Sequence, residues 1–237
     1  MGLNELTDAG ASMIYDWNFQ ALGPYWKAIW NGFMVTCQLT GLTIAIGTVF
    51  GFALGIVLRS RIVPIRWPLF VLVDIIRSTP VLILLLTFNY FLPVLLGEPD
   101  MTPFTIALIG LSVNLSAFIG DVVRGAIEHV PLGEIQAARA VGLPEYKVLW
   151  RFTIPQVVKL CIPTLTLLYI AIAKNSALAS VIAVYDLTHT ANLIVTTQMR
   201  TLEVYVVVTA IYVAMILPFS LLARRLERVG VAGRSEL

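Results

Sequence analysis

The sequence predicts an all-α integral membrane protein, a single bundle of about five transmembrane helices with a polar helical loop on one side. Three observations lead there. Of 237 residues, 58% are hydrophobic and only 13% charged, with a mean hydropathy of +0.87, whereas a soluble domain of this length needs more charge to cover its surface. Uncharged stretches recur that are long enough to cross roughly 30 Å of hydrocarbon as helices. Between two of them lies the one sizeable polar segment in the middle of the chain, Gly133 to Pro155, reading GEIQAARAVGLPEYKVLWRFTIP.

The same composition narrows the function classes. A net charge of +2 is too small to argue for a nucleic-acid partner, and the basic residues report topology instead. Cys37 and Cys161 both lie in apolar runs, which suggests packing thiols and neither a disulfide framework nor a metal knuckle. The N-terminus lacks a basic start followed by an apolar core, so no cleaved signal peptide is expected.

Residues 1–32 carry Tyr15, Trp17, Phe19, Tyr25, Trp26 and Trp30. Such rings favour the membrane–water boundary, so this stretch is expected to be an extracytoplasmic or interfacial lead-in. Charge then vanishes from Phe33 to Leu58, the first span. Gly47, Gly51 and Gly55 recur there every four residues, a spacing that lets helices pack closely in lipid. Arg59, Arg61 and Arg66 follow, with Pro64 as a breaker. The second span is expected from Trp67 to Leu96, carrying Asp74 and Arg77. Pro80 cannot donate a backbone hydrogen bond, which is expected to leave the carbonyl near Ile76 free to line a cavity.

Glu98, Pro99 and Asp100 form an acidic turn before the third span, which starts near Pro103 and is uncharged to Gly120. It emerges through Asp121, Arg124 and Glu128 into the polar loop. Within that loop Glu134 to Val141 is helix-compatible, Gly142 stops it, and Pro144 prevents its continuation. Ala137, Ala138 and Ala140 make the piece slim enough to enter a narrow groove on another protein. A fourth apolar stretch runs from Leu160 to Ala173, is interrupted at Lys174, and continues to Tyr185. Residues 186–203 read as a loop or partly inserted turn. The fifth span is Val204 to Ala223, closed by Arg224, Arg225 and Arg228. Residues 33–225 thus form one membrane domain, followed by a tail at 226–237. Positive charge collects on the side of Arg59 to Arg66, the 124–159 segment and the tail, so the positive-inside rule puts the N-terminus outside and the loop and C-terminus in the cytoplasm.

Enzymatic constellations are scarce. His129 and His189 fall on opposite sides of the predicted membrane, no cluster has metal spacing, and neither a Gly-x-Ser-x-Gly elbow nor a phosphate-cradling Gly-x-x-x-x-Gly-Lys-Ser/Thr loop occurs. No catalytic or metal site is expected, and an ATPase driving this protein would be another chain. Polar groups inside spans are costly and ask for a reason. Asp74 and Arg77 are three apart on one helix and can partly neutralise each other. Arg77-Ser78-Thr79-Pro80 joins a charge, two hydroxyls and a kink. Asn114, Ser116 and Asp121 make a second polar string, and Lys174, Asn175 and Ser176 a third. Pairing that holds the bundle together and lining of a solute path both remain open for these residues.

The polar loop also carries a likeness. Gln136-Ala137-Ala138, three residues, Gly142, nine residues, then Phe152-x-Ile154-Pro155 resembles the cytoplasmic loop of ABC-importer permeases, Glu-Ala-Ala, three residues, Gly, nine residues, Ile-x-Leu-Pro. Gln136 stands where that family usually has Glu. DIIRSTPVL from Asp74, SAFIGDVVRG from Ser116 and KNSALASVIAV from Lys174 resemble segments of its polar amino-acid branch, the histidine/glutamine/arginine type. The likeness covers roughly residues 15–225. It implies a permease subunit without cofactor of its own in a bacterial inner membrane. ATP and Mg would be bound by a partner ATPase dimer gripping Glu134, Gln136, Ala137, Ala138, Gly142 and Pro155. It further implies a second permease chain, same or homologous, and an extracytoplasmic solute-binding protein. For a zwitterionic amino acid, Arg77 and Lys174 are candidates for the carboxylate, and Asp121, Asn114 and Ser116 for an ammonium or polar side chain, with Thr79 and Asn175 beside them. A membrane-embedded enzyme or assembly factor using the loop as a docking site is the alternative.

Overall fold

The computed structural model describes residues 17–59, 63–130 and 132–232. Arg61, the first sixteen residues and the end of the tail lie outside the described residues. Helices occupy most of the rest: α1 (Trp26–Leu58), α2 (Val63–Ser78), α3 (Val81–Leu96), α4 (Pro103–Glu128), α5 (Leu132–Ala140), α6 (Glu145–Val148), α7 (Ile154–Asn175), α8 (Leu187–Gln198) and α9 (Thr201–Ala232). Among the described residues, four segments are long and apolar enough to cross a membrane, and a fifth is so only if the bent pair α2–α3 counts as one.

The first span starts earlier than expected. A 3₁₀ segment, Phe19–Tyr25, leads into α1 at Trp26, so the second half of the predicted lead-in is already helical. Pro24 is the last breaker before Phe33. Past it, nothing stops the helix from reaching back to the aromatic boundary.

The second span is not one helix. α2 and α3 are bent by 113° at Thr79-Pro80. Pro80 has φ −56° and ψ 134° and serves as the N-cap of α3, so the proline starts a helix instead of kinking one. The expected free carbonyl is also corrected: the Thr79 amide donates to the carbonyls of Ile75 (3.1 Å) and Ile76 (3.3 Å). The Thr79 hydroxyl bonds the Ile75 oxygen as well, at 2.8 Å. Local groups close the break before any cavity can use it.

α4 is the central helix, and its seam with α1 is the most extensive contact in the chain. The glycine stripe makes it possible. A Cβ on Gly47, Gly51 or Gly55 would meet Leu115 at 2.8 Å, Ile119 at 2.5 Å and Val123 at 2.5 Å respectively. Ser116 ties the same seam, its hydroxyl 2.6 Å from the Ser112 carbonyl and 3.2 Å from that of Gly47 across the interface. Leu115, Ile119 and Val123 then continue into a core shared with Val157, Cys161 and Leu165 of α7. Cys161 is buried and Cys37 half-buried, and both are free thiols.

Residues 160–203 differ most from expectation. Lys174 does not interrupt the fourth span, because α7 runs through it and a 3₁₀ segment, Ser176–Ile182, carries the chain on. The expected loop at 186–203 contains α8. The Asp186 side chain caps it, accepting from the His189 amide at 2.7 Å. Leu187, Ala191 and Ile194 then share one face and bury against Leu22, Ile29, Val204 and Val208. Thr190 on that buried face, with Thr196 and Thr197 exposed, gave the segment its polar look. Gly32 permits the approach of α1, since a Cβ there would lie 2.7 Å from the Thr190 hydroxyl. The Thr36 hydroxyl accepts from the Leu187 amide at 3.1 Å and pins the start of α8.

Candidate translocation and docking sites

Two of the polar candidates, Arg77 and Asp121, meet where α2 ends against α4. Arg77 reaches across to Asp121 with Nη1–Oδ2 at 2.9 Å, and lies farther, 3.7 Å, from Asp74 on its own helix. The pairing read from sequence, Asp74 with Arg77, is therefore the weaker of two. Asp121 gives its second oxygen to Arg124 at 2.8 Å, and Arg124 reaches Glu128 at 3.3 Å. The result is an alternating ladder, Asp74–Arg77–Asp121–Arg124–Glu128. Phe118 lies under the Arg77 guanidinium (5.4 Å) and Phe70 under that of Arg124 (5.7 Å). Both arginines are partly exposed, so neither charge is sealed in the bundle. Arg77 Nε is buried without a hydrogen-bond partner among the described residues. Each charge in the ladder has a counter-charge beside it, which lowers the cost that a lone intramembrane charge would carry.

The other candidates scatter. Asn114 is buried at 3% exposure, with Nδ2 unpartnered among the described residues, and Ser116 lies inside the α1–α4 seam. Thr79 is half-buried and bonded to its own helix. Lys174 is exposed and faces a cavity of about 450 Å³ with Thr209, Tyr212 and Ser220 of α9. Asn175 is half-buried beside it. The structure thus gathers Arg77 and Asp121 but leaves Lys174 and Asn175 on a different face, at the α7–α9 groove.

The polar loop is built much as its sequence suggests. Glu134 and Gln136 lie on α5, and Gly142 at φ +75° takes the left-handed conformation that ends it. The Leu143 amide closes the cap onto the Ala138 carbonyl at 3.2 Å. One part of the reading is corrected. Ala138 does not face outward; it is buried at 4%, so its small side chain serves the loop's own packing. The outward face of α5 carries Gln136, Ala137 and Ala140, and beyond it Val141, Tyr146 and Trp150 stand 80%, 63% and 68% exposed. Pro155 opens α7, exposed, in its first turn.

Two buried carboxylates escaped the sequence reading. Asp186 is fully buried, with Oδ2 unpartnered among the described residues. Burial pushes its carboxyl up to about 7, against backbone hydrogen bonds from His189 and Thr188 that favour the charged form. Glu203 is also fully buried, held by Arg200 at 3.2 Å and by the Asn18 amide at 3.1 Å. Asp186-Leu-Thr-His ahead of Ala191 and Ile194 is an N-cap pattern that would have revealed the first. The i,i+3 spacing of Arg200 and Glu203 hints at the second, but its contact to Asn18 closes across nearly the whole chain and no local pattern signals that.

A multi-pass helical bundle with a charged ladder on its central helix and an exposed loop at that helix's end is the architecture of an integral membrane protein built to meet a partner, and the comparisons make it a transport subunit. The chain belongs to the family of binding-protein-dependent transport system inner membrane components, whose model matches residues 38–229. It is 30% identical over 205 residues to the L-cystine transport system permease protein TcyB of Bacillus subtilis, covering 86% of this chain and 87% of that one. It is 27% identical over 216 residues to the glutamine transport system permease protein GlnP of Escherichia coli K12, covering 91% and 98%. A crystal structure of an amino acid ABC transporter with histidines superposes with a TM-score of 0.80 at 32% identity, over 90% of this chain and 99% of that one. The protein is accordingly a multi-pass inner-membrane permease subunit and not itself an ATPase. Partners in such a system are, in general, an ATPase and a substrate-binding protein.

Proposed function

We propose that this chain is the permease of an ATP-driven importer that moves polar amino acids or related solutes into the cytoplasm. The observation that carries the reading is likeness along nearly the whole chain to permeases named for cystine and glutamine. On this reading an ATPase dimer, holding ATP and Mg, docks on residues 133–155. A second permease chain, same or homologous, completes the enclosure, because five spans surround a path poorly. An extracytoplasmic binding protein delivers the solute, the N-terminus lies outside, and the C-terminus is cytoplasmic.

Geometry supports a route for coupling. The loop joins α4 to α7 directly, and Asp121 lies two turns before the end of α4. A push on α5 therefore acts on the helix that bears the ladder, and ladder exchange lets α4 move against α2 without stranding a charge. Arg77, Thr79, Asp121, Lys174 and Asn175 are the proposed path residues. Asn114 and Ser116, being buried, act by positioning α4. Gln136 offers the ATPase a neutral hydrogen bond, and Glu134, Ala137, Gly142 and Pro155 shape the docking surface.

The test is uptake of labelled glutamine and cystine into proteoliposomes holding this chain with the ATPase and binding protein encoded beside it. ATP-dependent accumulation is expected. Accumulation that persists without the ATPase, or ATPase activity that never responds to loaded binding protein, would overturn the proposal.

A further inference from the structure

α9 rests chiefly on α7 and α8, and between it and the end of α7 lies the cavity of about 450 Å³ that Lys174 faces. Thr209, Tyr212 and Ser220 bring hydroxyls to its α9 wall. Tyr212 has a second engagement. Its hydroxyl lies 2.9 Å from that of Thr188, in the first turn of α8. Thr188 in turn belongs to the cap of that helix, since its amide and the amide of His189 donate to the buried Asp186 carboxylate. The neighbouring Leu187 amide is held by Thr36 of α1 at 3.1 Å. The start of α8 is thus tied to α1 by one bond and to α9, at the cavity, by another.

The turns on either side of α8 are strained. Ala183 before it has φ +62° and Met199 after it φ +55°, left-handed conformations taken without glycine. Strain of this kind persists only where surrounding contacts hold it, and it collects in segments that switch.

We infer that Tyr212 is a positioning residue that passes occupancy of the Lys174 cavity to α8. The inference rests on the importer reading, which makes the solute the occupant and α8 an extracytoplasmic helix. A solute held at Lys174 bears on the Tyr212 side chain, which cannot turn aside without giving up Thr188. Loss of that bond frees the start of α8 from α9 while Thr36 keeps it on α1, and the turns at Ala183 and Met199 can then relax. The outer face changes only after solute has reached the cavity.

The test is hydrogen exchange across α8, read by mass spectrometry on the full-length chain in nanodiscs, in a Cys37→Ala, Cys161→Ala background. Thr209→Cys, at an exposed position on the cavity wall, is modified with sulfonatoethyl methanethiosulfonate, which tethers an anion in the cavity whatever the natural solute. Intact mass confirms complete modification. Exchange of the α8 amides should then quicken roughly fivefold, the effect of losing one neutral hydrogen bond. Tyr212→Phe and Thr188→Val should each exchange faster before modification and show no further response to it, whereas Thr188→Ser should respond like the parent. Thermal unfolding checks each variant, and the Thr188 pair decides alone if Tyr212→Phe does not fold. An α8 indifferent to modification, or equally responsive in Tyr212→Phe, overturns the inference. In proteoliposomes with the ATPase and binding protein, Tyr212→Phe should lower the maximal rate of glutamine or cystine uptake roughly fivefold and leave KM nearly unchanged. A raised KM at an unchanged maximal rate would make Tyr212 a solute contact only, and overturns the inference too. If wild type accumulates neither solute, it is the importer reading that fails, and the exchange experiment still decides the Tyr212 link.

Discussion

Gly51→Ala adds one methyl group at one of the two tightest points of the α1–α4 seam. The new carbon would lie 2.5 Å from Ile119 Cβ and 2.7 Å from its Cγ2. Ordinary carbon contacts sit at about 3.5–4.0 Å, so the helices must part by roughly 1 Å or distort. Overpacking of this kind costs about 1–3 kcal/mol. A control lies on the same helix: Gly41 has nothing within 4 Å of its own added Cβ. Gly41→Ala should therefore gain helix propensity, about 0.5–1 kcal/mol. Thermal unfolding of the solubilised protein should drop for Gly51→Ala and hold or rise for Gly41→Ala. Trimming the neighbour should not help, because the nearest atom is the Cβ that Ile119→Ala retains. Equal stability of the two glycine variants, or full rescue of Gly51→Ala by Ile119→Ala, would refute the idea that backbone approach sets this seam.

The loop should separate two neighbouring alanines: Ala138→Asp buries a charge and destabilises the loop, by several kcal/mol in a dry site. Ala137→Asp, on the exposed face, should keep wild-type melting while weakening co-purification of the ATPase. In the ladder, Asp121→Asn should lower uptake and cost about 1–2 kcal/mol of stability, and Arg77→Met with Asp121→Leu should cost less than the sum of the singles in a double-mutant cycle. Impermeant thiol reagents should label Asp100→Cys in intact cells and spare Tyr146→Cys, both without the native cysteines; labelling of both sites would break the proposed orientation. Asp186 has its folded value raised from 3.8 to about 7, so its contribution is full below about pH 4 and lost as pH rises through 7. Asp186→Asn should remove that loss, its advantage over wild type growing by roughly 1 kcal/mol per pH unit across the window, and parallel stability curves would exclude the burial argument.

Most spans were legible because a bilayer imposes a crude, strong rule, and Pro103 to Glu128 or the glycine stripe obey it without ambiguity. Where the rule weakened, the reading failed for identifiable reasons. α8 has an apolar face of only three residues, Leu187, Ala191 and Ile194, set among threonines, so a running average sees a loop. Pro80 in an apolar run reads as a kink, and whether it bends a helix or begins a new one depends on how Thr79 satisfies the carbonyls behind it. Ala138 could not be assigned a direction, since three alanines cover nearly every face of a two-turn helix.

The site was legible in its residue types and not in its pairings. Asp74 and Arg77 advertise an i,i+3 pair, yet the closer partner of Arg77 is Asp121, a contact that exists only because α4 passes the end of α2. That choice bears on transport. An Arg77–Asp74 pair would travel as one rigid unit on α2 and sense nothing. The Arg77–Asp121 bond spans two helices, and only one of them is tied at its end to the loop proposed to meet the ATPase. Any displacement of α4 along its axis must therefore stretch this bond or hand Arg77 back to Asp74, 3.7 Å away. The ladder supplies that second partner in advance, so the exchange costs far less than exposing an unpaired guanidinium to hydrocarbon. Asp74→Asn is the variant that isolates this step: it leaves the 2.9 Å bond intact, removes only the receiving carboxylate, and should lower the rate of ATP-driven uptake with little change in melting temperature. Unchanged uptake in Asp74→Asn would mean that Arg77 never changes partners, and that α2 and α4 move together.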